Sequence, residues 1–168
     1  MAEFLYRGLE DGSNCVMQYV GEDSKVVFPN DKDISVLFDD LLKGHTEVTE
    51  VVLPDTLREI GGFVFDGCND LHEIKLPDSL ESMWQYAFTR CGLKKIEIPG
   101  RVNTIISFAF NECRELKTVR LNEGTKKIMA WAFKNCTALT DIYVPASVQE
   151  ISDKAFEGCG EVQIHRVG

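Results

Sequence analysis

Five copies of one short ending constrain this chain more than any other feature of its sequence. The endings read FVFDGC, YAFTRC, FAFNEC, WAFKNC and KAFEGC. Their cysteines, which recur at a nearly constant interval, are Cys68, Cys91, Cys113, Cys136 and Cys159. A regular period of this kind is typical of a solenoid, in which each copy forms one turn and buries its apolar side against the next turn.

Each copy predicts one short strand followed by a return segment. In the copy that spans residues 71–91, the letters Glu-Ile-Lys-Leu at 73–76 alternate between polar and apolar, as in a half-buried strand. Pro77 then ends the strand, because proline cannot donate to a strand ladder. On the return, we expect the ring of Phe88 to fill the core.

The chain before these copies predicts a cap built from a hairpin and a short helix. Residues 3–29 contain apolar runs separated by turn residues, which favours antiparallel strands. Residues 31–45 predict an amphipathic helix that Gly44 ends and that Asp31 or Asp33 caps. Its apolar positions, at steps of three and four, are Ile34, Leu37, Phe38, Leu41 and Leu42. This helix coincides with a diverged first repeat, since Leu41-Leu42 falls in the Ala-Phe position.

These elements divide the chain into three parts of one continuous structural domain. Residues 1–47 form the N-terminal cap, residues 48–159 form five leucine-rich repeats of about 23 residues, and residues 160–168 form a terminal strand. The edge of that last strand is left uncovered, which makes it a candidate surface for self-association.

The repeated pattern L-x-x-I-x-L-P-x-x-L-x-x-I-x-x-x-A-F-x-x-C resembles the BspA-like, or Treponema pallidum-type, leucine-rich repeats. The resemblance spans about residues 48–159. It implies a curved right-handed solenoid with short parallel strands, mostly β and irregular structure, in a family found in host-associated bacteria and some protozoa. It also implies a protein without catalytic activity, at the cell surface or secreted, and a role in adhesion.

Composition argues against several classes of partner. A net charge of −9 and a pI near 4.8 are unfavourable for binding nucleic acid or anionic membrane surfaces. No apolar run is long enough to cross a membrane, so no membrane insertion is expected. The first residues, MAEFLYRGLEDG, lack the basic and apolar regions of a signal peptide, which by itself predicts a cytoplasmic protein.

Catalytic motifs are absent as well. The sequence contains no G-x-S-x-G, no P-loop and no G-x-G-x-x-G. The three histidines, His45, His72 and His165, fall at different positions of the repeat with no nucleophile in register. We therefore expect neither an enzyme nor a cofactor.

The cysteine ladder is interpreted as a column of buried free thiols that act as small apolar spacers. Parallel side chains on strands about 4.8 Å apart exceed the Cβ separation that a disulfide prefers. Metal binding by His45 and Cys68 is the alternative, although neither a CxxC nor an HxxxH spacing supports it. Cys15 lies outside the ladder and would be the most reactive thiol if it were exposed.

The outward positions of the predicted strands form a candidate concave polar surface. Its members, which come from two neighbouring columns, are Glu73, Lys75, Lys95, Glu97, Arg120 and Tyr143. In the second column Lys75, Glu97 and Arg120 alternate in sign. A recognition surface and an ordinary solvated face with weak charge pairs are both open interpretations.

A second candidate binding surface consists of apolar residues on the return segments. Its members are Trp84, Tyr86, Ile106, Phe108, Met129 and Trp131. The aromatic residues just before Ala-Phe are also explained by packing along the stack. For Trp84, Ile106 and Met129, contiguous apolar area would instead mark a contact with a partner or with a second copy of the chain.

The sequence therefore predicts a non-catalytic protein-interaction module for a protein ligand that the pattern does not identify. A homodimer is a further hypothesis, formed through the apolar stripe or the terminal edge. The first alternative is a structural spacer within a larger surface protein, and the second is an enzyme of unknown type.

Overall fold

The computed structural model describes residues 2–168, which form short strands joined by tight turns. In the first third of the chain the strands are β1 (Glu3–Gly8), β2 (Asn14–Val20), β3 (Lys25–Val27), β4 (Ile34–Leu37) and β5 (Glu50–Val52). The following strands are β6 (Glu59–Ile60), β7 (Ser82–Met83), β8 (Lys95–Ile98), β9 (Thr104–Ile105) and β10 (Thr118–Leu121). The last strands are β11 (Lys127–Ile128), β12 (Asp141–Pro145), β13 (Glu150–Ile151) and β14 (Gln163–Val167).

These strands stack as a β-solenoid with parallel pairing between successive turns. On the front face, β8, β10, β12 and β14 form one parallel sheet, and β3 pairs with β5. On the back, β4, β6 and β7 continue from the hairpin, and β9, β11 and β13 form a further sheet. Each regular turn thus contributes one segment to the front and a two-residue strand to the back.

The core between the two faces is a column of stacked phenylalanines. Phe65, Phe88, Phe110 and Phe133 are fully buried, and the ring centroids of successive members lie 4.9, 5.2 and 5.2 Å apart. Phe156 extends the stack at 5.6 Å. Full burial of such a side chain contributes about 1.5–3 kcal/mol, so the column explains why each copy of the repeat retains a Phe at this position.

The predicted hairpin is confirmed at the N-terminus, where β1 and β2 pair antiparallel. The diverged first turn also stacks in the expected place, since the N–H of Leu42 donates to the oxygen of Val64. Phe4 stacks on Phe28 at 4.8 Å and so covers the first turn of the core.

The predicted helix over residues 31–45 is wrong. This segment contains one turn of 3-10 helix at Asn30–Lys32, the strand β4 and a corner of turns, and no α-helix occurs anywhere in residues 2–168. Its expected capping residue Asp33 has φ 48°, and Asp40 has φ 65°, which interrupts any helix. The apolar side chains that recur here at steps of three and four are all buried except Phe38, and parallel pairing of β4 with β6 decides the structure.

The front sheet is interrupted at residues 73–76, where the sequence predicts a strand and the structure has none. Within the described chain, no main-chain N–H or C=O of these four residues makes a hydrogen bond. The interval from Cys91 to Cys113, in the following turn, is the shortest between successive cysteines of the repeats. At its shortened corner, a Cβ on Gly92 would lie 1.8 Å from the oxygen of Asn69, so only glycine fits there.

Candidate binding surfaces

The front face carries a groove, which we call the strand groove, with a volume of about 1050 Å³. All six residues of the predicted polar surface line it: Glu73, Lys75, Lys95, Glu97, Arg120 and Tyr143. Lys95, Glu97, Arg120 and Tyr143 meet there because side chains alternate along a strand and because parallel register places equivalent outward positions side by side. Glu73 is joined to them by its ion pair with Lys95. Binding by these residues remains a prediction.

Ion pairs between neighbouring turns neutralise part of the strand groove. The Nζ of Lys25 lies 3.3 Å from Glu50 Oε1, and the Nζ of Lys95 lies 3.3 Å from Glu73 Oε1. All four side chains are more than half exposed, so each pair contributes about 0–1 kcal/mol. The four charged groups therefore have partners within the chain, but the pairs add little to its stability.

A stacked cluster closes the C-terminal end of the strand groove. The guanidinium of Arg120 lies 4.6 Å from the ring centre of Tyr143, which in turn stacks on His165 at 4.6 Å. The Nε2 of His165 lies 2.8 Å from Asp141 Oδ1, and this hydrogen bond lowers the pKa of the Asp141 carboxyl. Arg120 is exposed, and its contact with the ring of Tyr143 is a cation–π interaction.

His165 was not among the predicted site residues. His165 lies after the last cysteine, so no repeat ending follows it by which it could be aligned with the other copies. It nevertheless lies one repeat length after Tyr143, and that spacing is the signal that places it in the column.

Four aromatic rings on the return segments form a second stack, which we call the outer ladder. Its members are Phe63, Tyr86, Phe108 and Trp131, whose ring centroids lie 4.9, 5.0 and 5.7 Å apart. A cation covers each end, with Lys43 Nζ 4.9 Å from the first ring and Lys154 Nζ 5.9 Å from the last. The indole N–H of Trp131 donates to Glu157 Oε2 at 3.3 Å.

The outer ladder therefore contains three residues of the predicted apolar surface, and their rings face one another along the stack. Tyr86, Phe108 and Trp131 are half-buried in this way. Packing of these rings along the stack is thus observed, and binding by them remains a prediction.

The remaining members of that surface, Trp84, Ile106 and Met129, form what we call the apolar stripe. Trp84 is 47% exposed and stacks on no other ring of the described chain, while Ile106 and Met129 are half-buried. Phe38, 44% exposed, belongs to the same repeat position two turns earlier, with Gly61 between. The predicted helix hid this equivalence, although Phe38 lies one repeat length before Gly61.

The cysteine ladder consists of free thiols, of which four are buried and Cys159 is half-buried. Four of the thiols donate to main-chain oxygens of the preceding turn, for example Cys113 to Phe88 at 2.9 Å and Cys136 to Phe110 at 3.1 Å, whereas Cys91 donates to Leu71 of its own turn at 3.9 Å. Burial raises the pKa of Cys68 to about 12. These thiols are spacers and hydrogen-bond donors rather than nucleophiles.

The thiol and imidazole of the alternative metal site have other partners. His45 Nδ1 lies 2.7 Å from Glu47 Oε1, and the Cys68 thiol donates to the oxygen of Leu42 at 3.3 Å. Within residues 2–168, no three His, Cys, Asp or Glu side chains are grouped as metal ligands would be. Cys15 is buried, and burial raises its pKa, so the condition for its reactivity is not met.

One buried carboxylate stabilises the corner beside the outer ladder. Asp66 is 1% exposed and accepts hydrogen bonds from Arg90, from Nε at 3.0 Å and from Nη2 at 2.8 Å. Its polar atoms are thus satisfied within the chain.

One edge of β14 is unpaired within residues 2–168. β14 pairs with β12 on one side only, and Ile164 and Val167 on this strand are 45% and 38% exposed. None of the described residues forms a helix that is long and apolar enough to span a bilayer.

Comparison with protein families gives one match. A family model described as BspA-type leucine-rich repeat region matches residues 39–163 with six copies. No curated protein sequence matches the chain.

Solved structures show the same fold. A leucine-rich repeat protein of T. pallidum is 25% identical with a TM-score of 0.80, covering 96% of this chain and 83% of its own. A leucine-rich cell surface protein of Faecalibacterium prausnitzii is 24% identical with a TM-score of 0.68, and a leucine-rich repeat protein of Bacteroides ovatus is 26% identical with a TM-score of 0.63. They cover 99% and 97% of this chain, which spans only 54% and 52% of their lengths.

Proposed function

Because the chain belongs to the family of BspA-type leucine-rich repeat proteins, we propose that it is a non-catalytic protein-interaction module whose strand groove holds a segment of another protein. The observation that carries the proposal is the strand groove itself. Its polar side chains stand at outward positions that the packing of the solenoid leaves free to vary.

Two physical features suit the groove to protein recognition. Successive turns present side chains at regular intervals of about 4.8 Å, and the core behind them is closely packed and rigid. A ligand therefore meets a preformed surface, which lowers the entropy cost of association. Repeat proteins of this kind commonly bind along such extended faces.

A surface location with a role in adhesion or host recognition belongs to this proposal. It is supported by the F. prausnitzii relative, which is described as a cell surface protein. The competing proposal is a spacer that carries no ligand of its own, and it fits the relatives that are about twice as long.

Affinity capture with matched variants tests the groove. We expect wild-type chain to retain a specific protein from host or source-cell extracts, and the groove variant Lys75→Glu with Arg120→Glu to lose it. The control, Lys126→Glu with Arg101→Glu, makes the same charge change at exposed residues outside the strand groove and should retain the protein. Equal capture by the groove variant and the wild type, or no capture by any version, would contradict the proposal.

A second contact surface is proposed at the apolar stripe, on the strength of the exposed Trp84. Large exposed apolar side chains on a soluble chain often mark contacts with a partner or a second copy. The double change Trp84→Ser with Met129→Ser should leave the circular dichroism spectrum unchanged and shift the sedimentation coefficient or remove a captured protein. An unchanged oligomeric state together with an unchanged set of captured proteins would rule this contact out.

A further inference from the structure

The outer strand of the N-terminal hairpin leaves one strand edge without a partner. In the five-stranded sheet that begins with the hairpin, β1 is the terminal strand, and within residues 2–168 it pairs with no strand but β2. An edge of this kind presents N–H and C=O groups that a further strand can bind. On β1, Leu5 is 55% exposed and Tyr6 is 37% exposed, so apolar area accompanies the main-chain groups.

The side chains of β1 divide between two faces, because successive residues of a strand point to opposite sides. Glu3, Leu5 and Arg7 share one face, and all three are exposed. Phe4 lies on the other face, where its ring stacks on Phe28 at 4.8 Å. Packing within the chain therefore fixes which face of β1 is turned outward.

The two charged residues of β1 have no charged partner in the hairpin. Across the strand pair, Glu3 lies opposite Val20 and Arg7 lies opposite Cys15. Neither charge forms an ion pair with any residue of 2–168. An unlike charge directly opposite on a neighbouring strand would stabilise each of them, whereas a like charge would oppose pairing.

The order of residues on β1 is self-complementary in antiparallel pairing. When two copies of this strand pair about a two-fold axis at Leu5, Glu3 of each copy lies opposite Arg7 of the other. Phe4 then lies opposite Tyr6, and Leu5 lies opposite its own equivalent. A shift of the register by two residues in either direction places a charged side chain opposite Leu5 instead. One register alone therefore pairs both charges with unlike charges.

From these observations we infer that the edge of β1 binds β1 of a second copy of this chain, in antiparallel orientation and centred on Leu5. The contact is closed, because a two-fold axis uses the same edge on both copies. It joins the two five-stranded sheets by main-chain hydrogen bonds, two unlike-charge pairs and apolar contacts. Since β1 does not line the strand groove, the inference goes beyond the proposed function and does not depend on it.

Charge reversals on β1 test the pairing, because they determine which chains can associate. Glu3→Arg gives each copy two arginines on this edge and Arg7→Glu gives each copy two glutamates, so like charges meet in either homodimer. Sedimentation velocity at about 0.15 M salt screens the net charge of −9 beyond about 8 Å. We expect either change to raise the dimer Kd by about tenfold or more. An equimolar mixture of the two variants pairs unlike charges again and should restore the dimer.

Further variants serve as controls. The double variant Glu3→Arg with Arg7→Glu exchanges the two charges and should dimerise as the wild type does, which excludes misfolding as the cause of a loss. Glu115→Arg and Arg101→Glu make the same charge changes at exposed residues outside β1 and should leave the dimer unchanged. Each comparison is repeated with Ile164→Lys, which opposes any contact through β14.

Hydrogen exchange locates the contact on the chain. Amides of β1 should exchange more slowly at high than at low protein concentration in the wild type and in the mixture, but not in either single variant. A wild-type chain that stays monomeric, single variants that dimerise as the wild type does, or a mixture that associates no better than its two components would overturn the inference.

Discussion

At the corners of the middle turns, aromatic residues adopt a backbone conformation that usually belongs to glycine. Phe63, Tyr86, Phe108 and Trp131 have φ between 60° and 65°. This left-handed conformation costs a non-glycine residue roughly 1–2 kcal/mol. The cost is offset by stacking in the outer ladder, since aromatic pairs contribute about 0.5–1.5 kcal/mol beyond their buried area.

Substitutions at Phe108 should separate these two effects. Both Phe108→Ala and Phe108→Gly remove the ring, but only glycine also removes the backbone cost, so we expect the glycine variant to be more stable by about 0.5–1 kcal/mol. Denaturant unfolding measures the difference. At the exposed Lys117, which does not have positive φ, we expect the alanine variant to be more stable than the glycine variant. A glycine variant that is the more stable one at both positions would contradict the explanation.

Truncation of Phe110 in the core should lower the free energy of unfolding far more than the changes at Phe108 do. Phe110 is fully buried between two rings, so Phe110→Ala should lower the free energy of unfolding by roughly 3–5 kcal/mol. Urea titration followed by tryptophan fluorescence provides the measurement. A change below about 1 kcal/mol would mean that this ring does not contribute to the core.

The raised pKa of Cys68 links stability to alkaline pH. The pKa of this thiol is about 12 in the folded chain and about 8.5 when unfolded, so its contribution is complete below about 8.5 and is lost as pH rises toward 12. Between these values the free energy of unfolding should fall by at most about 1.4 kcal/mol per pH unit for this thiol. Cys68→Ala should show a shallower decline between about pH 8.5 and 10, and an identical slope would exclude the linkage.

Among the elements, the front sheet is uneven, which leaves the strand groove with one section of unpaired main chain. β10 pairs on both sides, with β8 and β12, whereas residues 73–76 pair with neither neighbour. Amides without partners exchange through smaller openings than paired ones.

Native-state hydrogen exchange should detect this difference. We expect the amides at 73–76 to exchange faster than those of β10 that pair within the sheet, by on the order of a hundredfold. Mass spectrometry of peptides covering the two segments provides the comparison within one sample. Equal protection would show that the front sheet is continuous in solution.

The regular turns could be predicted from the sequence because one physical requirement recurs in each copy. Phe65, Phe88 and Phe110 must all stack, so the letters repeat in step with the structure. The first turn could not be predicted in the same way, because the apolar residues of a strand and its corner recur at the same steps as those of a helix. The outward residues that line the strand groove could be predicted from the sequence as far as Tyr143. The stack with His165 and the missing strand at 73–76 could not, because they depend on contacts between turns that no single repeat encodes.

For the whole molecule, we propose that the edge of β14, which is unpaired within residues 2–168, can contact a second copy of the chain. The unpaired edge of β14 offers main-chain donors and acceptors, and two copies related by a two-fold axis would pair these strands antiparallel. A charge at Ile164 should oppose this contact, so Ile164→Lys is expected to reduce the mass measured by light scattering at high protein concentration. Val52→Lys places the same charge on another exposed front-face residue that lies away from this edge, and it should leave the mass unchanged. If wild-type chain and both variants have the same mass at every concentration, the edge of β14 is not used for self-association.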